Sequence, residues 1–247
     1  MESPTLLNVS MVSKSFRGLK ALTDVSLHIA EKEIVGLIGP NGAGKTTLFN
    51  LISGYFQPDK GRIEFQGESL VGLKPHKICR LGLARTFQIV RPFGHLTVLE
   101  NVAVGAFNRT GSATAAERKA WEILEFIRLK HKALEPAFSL TTPDRKRLEL
   151  GRALATDPKL LLLDEVMAGL NPTEKEEVIG LVRQIRDKGV AVLIIEHAMR
   201  VIMGLSDRIS VLNYGECICE GDKDTVCTDP RVIQAYLGNA NDVTKRG

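Results

Sequence analysis

The chain has 247 residues, of which 44% are hydrophobic and 25% are charged, and its net charge at pH 7 is +4. This composition is typical of a soluble globular protein, and the length fits one α/β domain with an inserted subdomain. Lysine and arginine form no dense block, so the sequence argues against a nucleic-acid partner. The longest apolar runs fall far short of the roughly 20 residues that cross a membrane.

Two features bear on the cellular compartment. Residues Met1–Val9 lack a basic start followed by a long apolar run, so we expect no signal peptide. The four cysteines show no CxxC spacing: they are Cys79, Cys217, Cys219 and Cys227. This pattern favours unlinked thiols in a reducing cytosol over a metal site.

The N-terminal part of the sequence predicts four short strands, at Leu6–Val9, Val25–Ile29, Ile34–Ile38 and Arg62–Phe65. Apolar and polar residues alternate in the second, as in a half-buried antiparallel strand. The third is apolar apart from one glycine, which is typical of a strand buried on both faces. It leads directly into a glycine-rich loop, and we predict a helix from Lys45.

The middle of the chain, residues 92–156, changes to helical patterning. We predict helices at Thr97–Phe107, Ala113–Lys130 and Pro143–Thr156, with Trp121, Leu124 and Ile127 forming one buried stripe in the second. The stretch is therefore interpreted as a helical insertion.

Strands and helices alternate again in the last third of the chain. The predicted elements are Leu160–Leu163, Pro172–Lys188, Val190–Ile195, His197–Leu205 and Arg208–Leu212. Such alternation predicts a parallel sheet with helices on both faces. Asn171 followed by Pro172 is a favourable helix start.

The loop Gly39–Thr46 reads GPNGAGKT and matches the phosphate-binding pattern GxxxxGK[ST]. Glycines allow successive N–H groups to point at phosphate oxygens, Lys45 places a cation on the β- and γ-phosphates, and Thr46 can ligate Mg²⁺. A chance glycine-rich turn is the alternative. The predicted ATP contacts are Gly39, Pro40, Asn41, Gly42, Ala43, Gly44, Lys45, Thr46 and Thr47.

Two carboxylates, Asp164 and Glu165, follow the apolar run Leu160–Leu163. Ligands of parallel sheets lie at the carboxyl ends of the strands. We therefore expect Asp164 to hold Mg²⁺ and Glu165 to act as the general base for the attacking water. The alternative is a strand followed by a solvated acidic turn.

His197 follows another apolar strand, Val190–Ile195. A single histidine is most often structural. If this strand ends beside the γ-phosphate, however, the imidazole can hydrogen-bond that phosphate and the water, so we include His197 among the predicted catalytic residues.

In the order of these motifs, the chain resembles the nucleotide-binding subunit of an ATP-binding-cassette (ABC) transporter from about Leu6 to Leu237. The resemblance implies that Phe16 stacks on adenine, the alternative being a core residue of a hairpin. It also implies that Gln88 reaches Mg²⁺ and the water, and that its loop touches the membrane subunits. An exposed strand end is the alternative for Gln88.

The same resemblance implies a fold class and a domain organisation. We expect an α/β P-loop NTPase core, with a mixed sheet and helices on both faces, an N-terminal antiparallel β subdomain and an inserted helical subdomain. Residues 1–91 and 157–238 would form the core with its β subdomain, and residues 92–156 the helical subdomain. Residues 239–247 would be a disordered tail of this single domain.

The implied assembly is a transporter. ATP and Mg²⁺ would be bound, a second, identical or homologous ABC ATPase subunit would complete the sites, and two membrane permease subunits and a solute-binding protein would be partners. The chain would then lie peripherally on the cytoplasmic face of the membrane.

A narrower resemblance lies in the phrases Gly82–Gln88, Leu96–Val102 and Gly169–Glu174, which are similar to the ATPase subunits of branched-chain amino acid importers. Related cassettes serve importers of urea, amides and other small solutes. A cassette of an exporter or lipid-extraction complex, and a soluble cassette outside transport, are further alternatives.

One motif departs from the family pattern. Where the family has Leu-Ser-Gly-Gly-Gln, this chain has Leu140–Asp144, which reads LTTPD, and Asn171 stands where Asp is common. We predict Thr142 as N-cap and Pro143 as the first helical residue.

This departure bears on the partner's ATP site, which the segment would complete in a head-to-tail dimer. Asp144 would bring a negative charge near the γ-phosphate, offset by Arg145 or Lys146. The hypothesis is that the site completed here is weaker, and the alternative is that the hydroxyls of Thr141 and Thr142 replace glycine N–H groups.

Overall fold

The structure is a computed structural model that describes residues 4–88, 91–196 and 198–237. The chain divides into two compact units, one made of residues 1–73 and 193–247 and the other of residues 74–192. Three of the predictions concern positions outside the described residues: His197, residues 89–90 of the loop after Gln88, and the tail 239–247.

The first unit contains most of the strands. Its elements are β1 (Thr5–Phe16), β2 (Leu19–Ala30), β3 (Ile34–Ile38), α1 (Lys45–Ile52), β4 (Lys60–Phe65), β5 (Glu68–Ser69), α7 (Met199–Leu205), β9 (Arg208–Asn213), β10 (Glu216–Gly221), α8 (Lys223–Thr228) and α9 (Pro230–Leu237).

An antiparallel sheet with the order β2-β1-β4-β5 occupies one part of this unit. The alternation predicted for β2 is confirmed, since Val25, Leu27 and Ile29 are buried while Ser26 and His28 are exposed. One face of the strand therefore contributes to the core and the other meets solvent.

A second set of strands carries the glycine-rich loop. Strand β3 is parallel to β9, and β9 is antiparallel to β10, so the pairing is mixed. All five residues of β3 are buried, as the apolar run predicts. A Cβ at Gly36 would lie 2.7 Å from side-chain atoms of both Ile202 and Ser206, which explains the glycine within this strand.

The second unit contains most of the long helices. Its elements are α2 (Pro75–Leu81), β6 (Leu83–Arg85), α3 (Val98–Ala106), α4 (Ala113–Phe126), α5 (Thr142–Ala155), β7 (Leu160–Asp164) and α6 (Pro172–Asp187). Strand β8 (Ala191–Ile195) contains the point at which the chain passes between the units. Strands β6 and β7 are parallel.

Two helices of this unit begin at capping boxes. Thr97 and Glu100 form a capping box at α3, and Asn171 and Glu174 form another at α6. The buried residues of α4 are Ala116, Ala120 and Leu124. Trp121 is only half-buried, so its place in the predicted stripe is wrong: small alanines, which fit closely between helices, occupy the inner face.

No helix within the described ranges is long and apolar enough to cross a membrane.

Candidate functional site

The phosphate loop, residues 39–46, follows β3 directly, and its glycines are required by its geometry. Gly39 has φ +148°, and a Cβ there would lie 2.1 Å from the backbone carbonyl oxygen of Leu212. Gly44 has φ +105°, and its Cβ would lie 2.6 Å from the Leu22 side chain. Side chains at either position would push the loop away from the strands that support it.

The loop leads into the N-terminus of α1. The N-cap of this helix is Gly44, which has no side chain to accept from the first backbone N–H groups. Those groups and the helix dipole together favour an anion at this end. Thr46 is exposed and Thr47 is half-buried on the first turn, so the Thr46 hydroxyl lies at the surface of the same end.

Lys45 is the cation of this loop. It is only 7% exposed, and its Nζ donates to the carbonyl oxygens of Gly39 at 2.6 Å and Pro40 at 3.0 Å. The loop therefore curls around its own ammonium group. Phosphate oxygens, being charged acceptors, form stronger hydrogen bonds to an ammonium than neutral carbonyls do, so they can displace these contacts.

Replacing Gly39 by alanine tests the geometry of this loop. We expect Gly39→Ala to lower the free energy of unfolding by about 2–3 kcal/mol, because the clash with Leu212 cannot be relieved without moving backbone. We also expect ATP binding to weaken at least about tenfold. Gly180→Ala is the matched control: position 180 lies inside α6 with open space around it, and alanine there should slightly stabilise the protein. Equal melting temperatures for the two variants would contradict the account.

Phe16 lies at the end of β1 and is not a core residue. Its side chain is 38% exposed, and its ring meets Phe56 edge to face with centroids 5.1 Å apart. The Lys14 ammonium lies 5.5 Å from the ring centroid. An exposed ring supported at its edge offers a face to a flat ligand, as stacking on adenine requires.

A carboxylate cluster lies in the second unit, where β7 ends. Asp164 is 3% exposed, and its carboxylate accepts a hydrogen bond of 2.8 Å from Nη2 of Arg85, the last residue of β6. The Asp164 N–H donates to Thr86 Oγ1 at 3.2 Å. The predicted metal ligand is therefore fixed by a cation from the neighbouring parallel strand, a residue that the sequence reasoning missed.

Glu165 and Gln88, two of the predicted catalytic residues, are in direct contact. The Gln88 Nε2 donates to Glu165 Oε2 at 2.7 Å. Glu165 has φ +50°, a left-handed conformation that costs a non-glycine residue on the order of 1 kcal/mol or more and is concentrated at active sites. The strand thus turns sharply after Asp164, and the carboxylates of Asp164 and Glu165 contact different partners.

Two residues of α5 that no sequence motif indicated touch the same cluster. The Lys146 Nζ donates to the carbonyl oxygens of Gln88, at 3.3 Å, and Glu165, at 3.2 Å. The Glu149 carboxylate accepts from the Phe87 N–H at 2.5 Å. Burial raises the pKa of Glu149, and the hydrogen bond from Phe87 opposes that rise only in part.

The start of α5 differs from the prediction. Thr141, rather than Thr142, is the N-cap, because its hydroxyl accepts from the Asp144 N–H. Pro143 consequently lies in the first turn but is not the first helical residue. Of the two hydroxyls suggested as phosphate donors, that of Thr141 is engaged in the cap and also donates to the Asp144 carboxylate at 2.9 Å.

Asp144 is neutralised by a different residue from those predicted. Lys132 Nζ lies 2.6 Å from the Asp144 carboxylate. Arg145 instead donates to the Phe138 carbonyl, and Lys146 donates to backbone carbonyls beside the carboxylate cluster. Burial acts to raise the pKa of Asp144, but the hydrogen bonds from Lys132 and Thr141 outweigh it, so the pKa lies below its ordinary value. The negative charge of Asp144 at the start of α5 is therefore balanced by Lys132.

A buried strand, a glycine loop and a helix carrying Lys45, together with acids at the end of β7, define a P-loop nucleotide-binding protein. The family described as ABC transporter matches residues 22–168, more than half of the chain. The chain therefore belongs to the ABC transporter ATP-binding family, whose members bind ATP or ADP.

Relatives of known family match this chain along nearly its whole length. The chain is 41% identical over 255 residues to the high-affinity branched-chain amino acid transport ATP-binding protein BraF of Pseudomonas aeruginosa, covering 96% of this chain and 100% of that protein. Among solved structures, the ADP conformation of MJ1267, an ATP-binding cassette of an ABC transporter, matches with a TM-score of 0.87 and 32% identity, covering 96% and 100%.

A second solved structure shows a cassette in a dimer. It is the post-hydrolysis state of the cassette MJ0796 bound to ADP and Pi, with a TM-score of 0.80, 26% identity and coverage of 88% of this chain and 98% of that one. These neighbours confirm the predicted fold class, an α/β cassette with one mixed and one antiparallel sheet.

Proposed function

We propose that this chain is the ATP-hydrolysing subunit of an importer for branched-chain amino acids. The observation that carries the hydrolytic part is the 2.7 Å hydrogen bond that holds the Glu165 carboxylate in place from Gln88. The substrate class is supported by the name of a relative that is 41% identical over nearly the full length.

Binding of ATP begins at the phosphate loop. Backbone N–H groups at the start of α1 would donate to the phosphate oxygens, and Lys45 would exchange its two loop carbonyls for the β- and γ-phosphates. The predicted contacts at Pro40, Asn41, Gly42 and Ala43 belong to the same loop. Phe16 would stack on the adenine.

Replacing Phe16 tests the adenine contact. Base–aromatic stacking contributes about 1–3 kcal/mol, so Phe16→Ala should weaken ATP binding by roughly tenfold or more, while Phe16→Tyr retains it. Phe56→Ala, which removes only the edge contact, is the control and should change binding far less. The measurement is the Kd of a fluorescent ATP analogue. Equal values for both alanine variants would contradict stacking.

Hydrolysis would be carried out by the carboxylate cluster. Water attacks the γ-phosphorus, the bond from that phosphorus to the β–γ bridging oxygen breaks, and ADP leaves. Glu165 would accept the proton of the attacking water, with Gln88 fixing the orientation of its carboxylate. His197 would donate to the γ-phosphate.

The chemistry of the predicted ligands suits Mg²⁺. Thr46, Asp164 and Gln88 would hold it through a hydroxyl, a carboxylate and an amide oxygen, the hard ligands that this ion prefers. In the structure the nitrogen of the Gln88 amide donates to Glu165, which leaves the amide oxygen as the ligand atom. When bound, the ion neutralises charge on the phosphates.

The assembly we propose contains a second ABC ATPase subunit, two membrane permease subunits and a solute-binding protein, at the cytoplasmic face of the membrane. The dimeric cassette among the solved relatives supports the first. In the second unit, Phe87, Phe93 and Phe138 are 42%, 47% and 59% exposed. In the proposed assembly, contact with the permeases would cover these apolar side chains.

The experiment is ATP turnover by the chain co-purified with its partner subunits and reconstituted in vesicles. We expect stimulation by a binding protein loaded with leucine, isoleucine or valine, and none by the same protein without solute. Stimulation only by binding proteins loaded with urea or amides would replace the proposed substrate. Absence of ATP hydrolysis under every condition would contradict the function itself.

A further inference from the structure

We propose that Lys146 is a positioning residue for ATP hydrolysis, which ties helix α5 to the backbone of both Gln88 and Glu165. This inference rests on the proposed function, because Glu165 is the proposed base. It adds a residue that belongs to none of the motifs discussed above. The contacts concerned join two residues of α5, Lys146 and Glu149, to three residues outside that helix, which are Phe87, Gln88 and Glu165.

The contacts of Lys146 are unusual for a lysine. The side chain is 9% exposed, and its ammonium lies between the carbonyls of Gln88 and Glu165, at 3.3 and 3.2 Å. An ammonium has three donors and no acceptor, so one group can bridge two separate segments of chain. Burying it costs free energy that neutral carbonyls offset only in part, and an apolar side chain at this position would avoid that cost.

A second contact fixes the direction of the helix. Glu149 lies three residues after Lys146, on the same face of α5, and is also 9% exposed. It accepts from the Phe87 N–H at 2.5 Å. Two adjacent residues are thus held by opposite charges from one helix face: Glu149 accepts from the Phe87 N–H, and Lys146 donates to the Gln88 carbonyl.

The contacts of Lys146 and Gln88 fix the orientation of Glu165, the proposed base. The Lys146 ammonium holds the carbonyl of Glu165, whose backbone is in the left-handed region, and Gln88 holds its carboxylate. Rotation of the peptide group that contains the Glu165 carbonyl would redirect the Glu165 side chain. Since α5 begins at the divergent segment Leu140–Asp144, a shift of this helix start is transmitted through Lys146 to both catalytic groups.

The test separates positioning from folding and binding. Lys146→Met removes the charge at similar length, and Lys146→Arg keeps it. In the reconstituted complex, we expect Lys146→Met to lower kcat at least about tenfold with KM and the ATP Kd changed less than about twofold, and Lys146→Arg to recover most of kcat. Lys119→Met, which removes an exposed lysine of α4, is the control and should leave kcat unchanged.

Amide hydrogen exchange provides a second readout. In Lys146→Met, residues 164–168 should exchange faster while residues 39–46 do not. If that variant does not fold, Lys146→Gln, which still donates to one carbonyl, is measured for the same kcat and KM. Wild-type kcat in the neutral variants, or a fall in kcat matched by a rise in KM, would overturn the inference. Failure of the wild type to hydrolyse ATP would instead overturn the proposed function.

Discussion

Glu165→Gln should reduce ATP turnover by about a hundredfold to ten-thousandfold, the contribution of a positioned general base. The substitution is nearly isosteric. The Gln88 amide can still donate to the remaining side-chain oxygen, so the 2.7 Å contact and the local fold should persist. The Kd for ATP should stay within about twofold, because no proposed phosphate contact is removed.

The control for this variant makes the same chemical change on the following helix. Glu174 closes the capping box of α6, and glutamine serves equally well at that position, so Glu174→Gln should retain wild-type turnover. Turnover is measured as phosphate release at saturating ATP. If this chain's own site kept more than about a tenth of its wild-type turnover in Glu165→Gln, another group would have to accept the proton.

Arg85→Met should lower the free energy of unfolding by about 3–5 kcal/mol, because it leaves the Asp164 carboxylate buried without its cation. The side chains of this pair are 7% and 4% exposed, and the guanidinium also lies 5.2 Å from the Phe87 ring centroid. Urea unfolding measures the change. Lys130→Met, which removes a cation from an exposed pair with Glu125, should cost less than about 1 kcal/mol.

A double variant distinguishes the charge effect from loss of packing. In Arg85→Met with Asp164→Leu, neither buried charge remains, so about 1–3 kcal/mol of the single-variant loss should return as coupling between the two sites. If the changes in the free energy of unfolding of the two single variants simply added, Arg85 would act by packing alone. The ion pair would then contribute nothing to the stability of β6 against β7.

The parts of the structure that the sequence predicted well have strong local signals. Strand β3 has its predicted bounds, because a buried run of four apolar residues and one glycine, followed by a glycine-rich loop, admits few alternatives. The capping signal at Asn171 placed the start of α6 in the same way. Glu165 was assigned from its place after an apolar strand and Gln88 from family resemblance, and the side chains of the two residues form a hydrogen bond.

The parts that were missed depend on contacts distant in sequence. Arg85 is 79 residues from Asp164, and Lys146 is 58 residues from Gln88. Neither pair has a local pattern, since a lysine or arginine on a helix or strand is ordinarily solvated. The three-residue strand β6 is also too short to show a period, and it was recognised only from its pairing with β7.

The central claim is that this chain binds ATP through the phosphate loop and hydrolyses it with Glu165. The most direct measurement is phosphate release and ATP Kd for the reconstituted complex carrying wild type, Lys45→Ala or Glu165→Gln in this chain. We expect Lys45→Ala to lose ATP binding at this chain's loop, and Glu165→Gln to bind ATP with nearly unchanged Kd while its own site stops turning over. If Glu165→Gln lost binding and hydrolysis together, or if both variants retained wild-type turnover, the account would be contradicted.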